Sequence, residues 1–118
     1  MNTTVAKLIA LMQHCECNFD DLTDVDANEP SMYIEFGSYE YRVLTEDEAD
    51  AAFDEALDSI LDDVVLPDLD EALQCYFDRD AWKRDAQYDG RGHHLNHYDG
   101  EEYEEVVNGT SYYIYRVN

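Results

Sequence analysis

Twelve acidic side chains and no basic one occupy the twenty-six residues from Glu46 to Glu71. Carboxylates at this density can coordinate hard cations, act as acids and bases, or stand in for phosphate groups. Four aspartates recur at every fourth position: Asp50, Asp54, Asp58 and Asp62. On a helix, carboxylates four residues apart rise by about 6 Å per step, a spacing comparable to that of phosphates along one DNA strand. The pattern therefore favours phosphate mimicry.

The whole chain shares this imbalance. Its 118 residues include 29 Asp and Glu against 7 Lys and Arg, which gives a net charge of −22 and a pI of about 4.1. Such a surface repels nucleic acids and anionic membranes, so it excludes modules that grip DNA, RNA or phosphate. A face that only aids solubility mixes both signs, whereas an unbroken acidic face lowers stability by self-repulsion. The acidic face therefore indicates a binding role.

Charge and size together match a short stretch of duplex DNA. A compact domain of this length is expected to be roughly 35 Å across, and a duplex of that length carries about 20 charges. We therefore predict a DNA mimic whose carboxylates occupy a groove lined by Lys and Arg in a nucleic-acid-binding protein. The residues predicted to make this contact are Asp47, Asp50, Asp54, Glu55, Asp58, Asp62, Asp63, Asp68, Asp70 and Glu71.

Metal sites are weaker alternatives. One group matches positions 1, 3, 5 and 12 of a calcium loop: Asp24, Asp26, Asn28 and Glu35. Glu29, however, stands where that loop needs glycine. A second group consists of His93, His94 and His97, with Cys75 as a further donor. A third consists of His14, Cys15 and Cys17. Neither the second nor the third group matches a closed zinc pattern, so we expect no metal or cofactor. We also expect three free thiols, because the number of cysteines is odd and the chain is not expected to be secreted.

An enzyme is not expected either, because the chain has no nucleophile elbow, phosphate loop or kinase signature. Leu, Ile, Val and Phe make up about 22% of the residues, just above the range of disordered chains. The carboxylates are therefore expected to sit on a folded scaffold.

Helical spacing predicts a first helix over residues 4–16, capped by Thr3 or Thr4. The main helix is predicted over 45–64 and begins with a capping box of Thr45 and Glu48. Its apolar stripe comprises Phe53, Leu57, Ile60, Leu61 and Val64.

Pro67 is expected to end the main helix. The next helix is expected to have a core face formed by Leu69, Leu73, Tyr76 and Phe77. Asp80 is the predicted cap of a short helix that contains Trp82, a candidate core residue. Three bases are expected to pair locally, namely Arg79, Lys83 and Arg84 with Asp78, Asp80 and Asp85.

Alternating side chains predict one hairpin at 31–44, which turns at Gly37-Ser38, and a second at 102–117, which turns at Asn108-Gly109. The segments 18–30 and 88–100 are expected to be loops, and the acidic run 101–105 is expected to protect an edge strand. The predicted fold is a single α+β domain over 1–118. Its order is α-ββ-αα(α)-ββ, with a small antiparallel sheet of two hairpins packed with three to four helices.

Over about residues 39–118 the chain resembles small acidic proteins of tailed bacteriophages. The resemblance rests on the stretches 43–50, 81–86, 89–93, 98–102 and 112–116. It implies a phage origin and expression in the bacterial cytoplasm. It assigns no site residue, because those phage proteins have mostly unassigned functions. In charge and size alone, the chain is also similar to phage anti-restriction and anti-CRISPR DNA mimics.

These observations predict a phage-encoded inhibitor that blocks DNA binding by a restriction enzyme or CRISPR effector of the host. No direct contact with nucleic acid is expected, because the net charge repels it. No membrane contact is expected either, since no apolar run is long enough to span a bilayer. The alternative is a non-mimic interaction module that contacts a host nucleoid, repair or transcription protein through the 88–100 loop and the Tyr-rich hairpins. A metal-binding protein that uses the three-histidine loop is less favoured. A homodimer through the hairpin edges is left open.

Overall fold

A computed structural model describes residues 2–26 and 32–118. Within this part of the chain, five strands form one antiparallel sheet in the order β1-β2-β3-β5-β4. The strands are β1 (Leu22–Asp26), β2 (Met32–Phe36), β3 (Tyr39–Thr45), β4 (Tyr103–Val107) and β5 (Thr110–Arg116). The helices are α1 (Thr3–Cys15), α2 (Glu46–Ile60), α3 (Glu71–Gln74), α4 (Arg79–Ala86) and α5 (Arg91–Leu95).

The sheet carries a helical layer on each face. Val43 and Ile114 pack in one core cluster with Leu11 of α1. Their chain neighbours Leu44 and Tyr115 pack in a second cluster with residues of α2 and α5. Because consecutive strand residues point to opposite faces, α1 covers one face of the sheet while α2 and α5 cover the other.

The expected α+β class, with a small antiparallel sheet packed with helices, is confirmed. β2 and β3 form the first predicted hairpin, β4 and β5 form the second, and β3 joins them by pairing with β5. At the second turn, Asn108 and Gly109 have φ angles of 56° and 82°. Positive φ at both central residues is what a two-residue type I′ turn requires.

The segment 18–30 is not the loop that its composition predicts. Residues Leu22–Asp26 form β1, an edge strand that pairs antiparallel with β2. The pairing register shifts between Leu22 and Asp24, and this irregularity breaks the alternation by which a strand is recognised. Acidic residues are also favoured on an edge strand, so the composition resembles that of a loop. Residues 27–31 lie outside the described residues.

Two helices begin at caps other than those predicted. Asn2, rather than Thr3 or Thr4, caps α1, and its side chain accepts a backbone hydrogen bond at 2.8 Å. Asp78, rather than Asp80, caps α4 in the same way at 3.0 Å. In both cases the capping residue has the extended backbone that precedes the first helical turn, as an N-cap requires.

The start of α2 is tied to α1. The predicted capping box is confirmed, since Thr45 and Glu48 each accept a hydrogen bond from the backbone N–H of the other. The Glu48 carboxylate also lies 2.7 Å from Nζ of Lys7, a fully buried α1 residue. Removing one partner of such a pair leaves an uncompensated charge, so the pair links the two helices firmly.

The main helix changes character before the predicted end at residue 64. After α2, Leu61–Val65 form a π turn and Leu66–Asp68 form a 3₁₀ turn around Pro67. Proline lacks an N–H and clashes with the carbonyl four residues earlier in a regular helix. The wider turn moves Val64 out of the apolar stripe, where it is 57% exposed. The buried members of the stripe are Phe53, Leu57 and Leu61.

The predicted core face of the next helix is wrong. Leu73 and Tyr76 are 57% and 83% exposed, and Leu69 and Phe77 are half-buried. A four-residue helix such as α3 is only one turn long and cannot present a continuous stripe. Trp82 of α4 does pack against the second core cluster, in line with its predicted role.

The segment 88–100 is more ordered than a loop. Within it, α5 is followed by the buried Asn96, whose amide donates to the carbonyl of Glu101 at 2.9 Å. The Asn96 side-chain oxygen also accepts from two backbone N–H groups of the following turn. The chain is therefore fixed between α5 and β4.

The molecule is longer than predicted. Its principal extents are 56 × 30 × 23 Å and its radius of gyration is 16.6 Å, whereas a compact chain of this length is expected near 13 Å. No described side chain between residues 62 and 88 is fully buried. This stretch therefore adds only partly buried side chains, such as Trp82, to the core.

A close approach at Gly92 makes this residue a sensitive point. A Cβ atom there would lie 2.8 Å from backbone atoms of Gly100, Glu101 and Glu102. We expect Gly92→Ala to lower the free energy of unfolding by about 1–3 kcal/mol. Thermal unfolding followed by circular dichroism measures this effect. His93→Ala, at an exposed position of the same helix, is the control, and equal melting temperatures for the two variants would contradict the close contact.

Candidate functional site

The aspartates that step along α2 and the π turn after it lie beside the core-facing residues of the helix. Ala49, Phe53 and Leu57 pack into the second core cluster. The adjoining flank is exposed or half-exposed and carries the four aspartates that we call the α2 acidic row, namely Asp50, Asp54, Asp58 and Asp62. Packing of the apolar stripe therefore fixes the direction in which the row faces.

Two cations from α4 contact this row. Lys83 Nζ lies 2.8 Å from Oδ1 of both Asp54 and Asp58. The Arg79 guanidinium donates to Asp58 and Asp62, each at 3.0 Å. Because the two cations are four residues apart, they lie on one face of α4. Each of them bridges two consecutive carboxylates of the row.

A third cation, Arg91 of α5, lies at the first turn of α2. Its guanidinium is 2.8 Å from Glu46, 2.9 Å from Asp50 and 2.9 Å from Glu102. It also stacks 4.6 Å from the centroid of the Tyr113 ring. The Arg91 side chain is only 14% exposed, whereas Glu46 and Asp50 stay more than half exposed. One cation thus joins α2, α5 and the start of β4.

Hydrogen bonds favour the ionised form of two carboxylates, Asp58 in the row and Glu46 one turn before it. The Tyr113 hydroxyl, followed by Arg91, lowers the pKa of Glu46. The same bond to Glu46 raises the pKa of Tyr113 to about 12. Lys83, followed by Arg79, lowers the pKa of Asp58. Glu46 and Asp58 therefore stay charged at a lower pH than ordinary surface carboxylates do.

Pairing does not bury the row. The side chains of Asp50, Asp54 and Asp62 are 64%, 62% and 58% exposed, and that of Asp58 is 37% exposed. An ionised carboxylate has about four lone-pair sites, so it can accept from an external Lys or Arg while an internal bond holds it. Three cations also serve six carboxylates, which leaves a local charge of −3. The six are Glu46, Asp50, Asp54, Asp58, Asp62 and Glu102.

The predicted local pairing of the bases is wrong. Arg79 and Lys83 bind the acidic row on α2 rather than Asp78, Asp80 or Asp85. Adjacent residues on a helix do not face each other, which separates Arg79 from its two acidic neighbours. The carboxylate of Asp78 accepts a backbone bond at the start of α4 instead.

Six further residues of the predicted contact are exposed, and none forms an ion pair with another described residue. They are Asp47, Glu55, Asp63, Asp68, Asp70 and Glu71. The first three belong to α2 and its π turn. The last three follow in the short turns beyond it, where Asp70 caps α3 by accepting from Ala72 N–H at 3.2 Å. The predicted surface thus divides between a rigid helix and the segment that follows it.

A second acidic strip crosses the sheet and is absent from the prediction. Asp24, Glu35 and Glu40 lie directly opposite one another on β1, β2 and β3. With Asp26 and Tyr33 they line a hollow of about 260 Å³. Like charges in this arrangement destabilise a sheet. The first hairpin alone aligns Glu35 with Glu40, but the strip becomes evident only once β1 is known to be a strand.

The residues considered as metal ligands are not grouped where the structure describes them. In the described parts of the chain, no group of three or more His, Cys, Asp or Glu side chains is arranged to hold a metal ion. The His94 ring packs 5.3 Å from the Phe53 ring. The His93 ring lies edge-on to the His94 ring, with 5.1 Å between the ring centroids. Asn28 of the calcium pattern lies outside the described residues.

The cysteines are free thiols, as expected: Cys15 and Cys17 are half-buried, and Cys75 is exposed. The His14 ring packs 4.7 Å from the Tyr103 ring. The third candidate ligand group is therefore accommodated among packed side chains at the end of α1.

Arg116 has a role that the sequence analysis missed. Its guanidinium lies between the rings of Tyr39 and Tyr98, 4.1 Å and 3.6 Å from their centroids. The Arg116 carbonyl also accepts from the His97 N–H at 2.9 Å. These contacts attach the end of the 88–100 segment to the sheet. The scarcity of bases is the one signal that could have identified Arg116 and Arg91 as anchor points.

No protein-family model, curated protein or solved structure matches this chain. In the described residues, no helix is both long and apolar enough to cross a membrane. The functional argument therefore rests on the geometry of the acidic surface.

Removal of Arg91, the cation that joins α2, α5 and β4, should destabilise the fold. We expect Arg91→Met to lower the free energy of unfolding by about 1–2 kcal/mol, because three partly exposed carboxylates are then left close together. The loss should shrink in about 0.5 M NaCl, which screens their repulsion. Urea unfolding at low and high salt measures both effects. Arg84→Met, at an exposed position, is the control, and an equal small loss in the two variants would refute the junction.

Lys83 should control the titration of Asp58. In Lys83→Met we expect the pKa of Asp58 to rise towards its ordinary value, as measured by carboxyl NMR titration. A lowered pKa contributes stability above the ordinary carboxyl pKa, and this stability is lost as pH falls through the lowered value. The variant should therefore be less stable than the parent above the ordinary carboxyl pKa, and this difference should shrink as the pH falls, because only the parent loses the Asp58 contribution. An unchanged Asp58 pKa in Lys83→Met would disprove the pairing, and Arg84→Met should leave it unchanged.

Proposed function

We propose that this protein is a phage-encoded DNA mimic. It occupies the nucleic-acid-binding groove of a host defence protein, a restriction enzyme or CRISPR effector, in the bacterial cytoplasm, and it blocks DNA binding. The α2 acidic row is the observation that carries this proposal. Cations of the protein hold the four carboxylates in place, yet more than a third of each side chain stays exposed.

The overall charge density supports the same proposal. A net charge of −22 along a 56 Å axis is one charge per about 2.5 Å. Duplex DNA carries one charge per about 1.7 Å of its axis. The elongated shape thus lowers the charge density below the value expected for a compact domain, but the density stays within a factor of two of the duplex. A groove that accepts DNA would meet a comparable field.

The internal cations support mimicry by fixing the geometry of the row. Unpaired acidic side chains on a helix sample several rotamers, and a partner must immobilise them on binding. Arg79, Lys83 and Arg91 have already ordered the carboxylates in the free protein. A target then meets acceptors at set positions, as it does along a phosphate backbone.

Inhibition follows from competition for the same cations. Lys and Arg side chains of the target groove would bind the free lone pairs of the row and the unpaired carboxylates beside it. Long-range attraction accelerates the encounter and weakens with salt. DNA and the mimic cannot occupy the groove together, so binding of one excludes the other.

A non-mimic interaction module is the second candidate function. The observation in its favour is the exposure of Tyr88 and Tyr98, 89% and 60% respectively, in the 88–100 segment. Aromatic anchors of this kind are enriched in protein interfaces. Apolar contacts of such a module would survive about 0.5 M NaCl, whereas a contact carried by surface charge would weaken strongly.

A neutralised row tests the proposal. The variant Asp50→Asn, Asp54→Asn and Asp62→Asn leaves at least one carboxylate on each internal cation, so α4 and α5 stay attached. Tagged protein captures partners from bacterial lysate, and mass spectrometry identifies them. Affinity is then measured with the purified partner, with and without duplex DNA. We expect the row variant to bind at least about tenfold more weakly and duplex DNA to displace the parent.

The matched control removes the same charge elsewhere. It carries Asp20→Asn, Glu35→Gln and Glu101→Gln, three exposed positions away from α2. If the control loses as much affinity as the row variant, net charge alone causes binding and the row is not the site. If duplex DNA fails to displace the partner, the protein is not a DNA mimic.

A further inference from the structure

The segment after α2 exposes apolar side chains that mimicry by charge does not explain. We call the three of them the apolar tip: Val64, Leu73 and Tyr76. Their exposed fractions are 57%, 57% and 83%. Neither α3 nor the 3₁₀ turn before it contains a fully buried residue. Single exposed apolar side chains are normal on a protein surface, whereas three within the thirteen residues from 64 to 76 make this segment a candidate surface for a partner.

Hydrogen bonds hold this segment in a defined shape. The Gln74 side-chain amide donates to the carbonyl of Leu66 at 2.8 Å and to that of Leu69 at 3.2 Å. The Asp70 carboxylate fixes the start of α3. The tip is therefore presented by an ordered turn, which reduces the entropy that a partner must remove on binding.

The charge around the tip selects the partner. The segment 61–78 contains six acidic residues and no basic one. Tyr88 is equally exposed, at 89%, but three bases lie nearby in the sequence, namely Lys83, Arg84 and Arg91. Residues 83–91 also contain two acidic residues, Asp85 and Asp89, so acidic and basic residues are mixed around Tyr88 in the sequence. A cationic partner is thus attracted more strongly to the tip than to Tyr88. A second copy of this chain would place two acidic rims against each other, which is unfavourable.

We propose that the apolar tip docks onto a cationic amphipathic segment of the target, in which apolar side chains are flanked by Lys or Arg. This inference rests on the proposed function, because it adds an anchor beside the α2 acidic row. Charge provides rapid encounter, whereas apolar anchors in well-packed contacts provide most of the affinity in protein interfaces. The tip would therefore separate one DNA-binding target from the many proteins with a basic groove.

Two synthetic peptides test the tip without knowledge of the target. One is a helical Leu-Lys peptide, and the other is a Ser-Lys peptide with the same number of lysines. Amide NMR spectra of the full-length protein map where each binds. We expect both peptides to perturb the acidic row, but only the Leu-Lys peptide to perturb residues 64, 73 and 76. It should bind about tenfold more tightly than the Ser-Lys peptide, a margin that persists in about 0.5 M NaCl.

Tyr76→Ser and its matched control Tyr88→Ser distinguish binding at the tip from nonspecific apolar binding at any exposed tyrosine. Both replace a tyrosine that is more than 80% exposed, so neither should disturb the core. Tyr76→Ser should reduce the preference for the Leu-Lys peptide to about twofold or less, and Tyr88→Ser should leave it unchanged. An unperturbed tip, or equal effects of the two variants, would overturn the inference.

The remaining outcomes separate this inference from the proposed function. Shifts at the tip amides that grow with protein concentration, without peptide, would identify a second copy as the occupant and overturn the cationic partner. A tip that prefers the Leu-Lys peptide, together with a target that duplex DNA cannot displace, would keep the tip and reject mimicry. A target that duplex DNA displaces, together with tip amides that no peptide perturbs, would keep mimicry and reject the tip.

Discussion

Self-repulsion among 29 carboxylates is the constraint on which the rest of this structure depends, because only 7 cations oppose it. Most of these cations lie where two elements meet. Lys7 joins α1 to the start of α2, Arg79 and Lys83 join α4 to α2, and Arg91 joins α2 to α5 and β4. Arg116 joins β5 to the 88–100 segment through two tyrosine rings. The elements assemble where the repulsion is locally compensated.

Sequence patterns predicted the parts of the fold that depend on near neighbours. The capping box of Thr45 and Glu48 and the Asn108-Gly109 turn were both predictable, because each is decided within four residues. β1 was not, since an irregular register and acidic edge residues conceal it. The core face assigned to Leu73 and Tyr76 failed for a related reason: periodicity predicts burial only if a helix is long enough and a partner covers it.

The candidate site likewise has features that near neighbours in the sequence decide and features that only the tertiary fold decides. The fourfold spacing of the α2 acidic row follows from the sequence, and its outward direction follows from the apolar stripe. The pairing of that row with Arg79 and Lys83 depends on how α4 docks, across 17 to 29 residues of chain. No local rule gives that distance, and the nearest acids in the sequence were the wrong partners. The three-carboxylate junction at Arg91 similarly requires α2, α5 and β4 to be placed first.

Internal pairing and phosphate mimicry are compatible because the pairing is incomplete. A fully unpaired row would add its repulsion to an already unfavourable surface, and a fully neutralised one would offer nothing to a basic groove. The observed arrangement lies between these limits, with a residual charge of −3 over six carboxylates. Duplex DNA reaches a similar compromise with condensed counterions, which it releases when a protein binds. The cations of this protein are covalently tethered and cannot leave, so its advantage over DNA would come from carboxylates that are already in position.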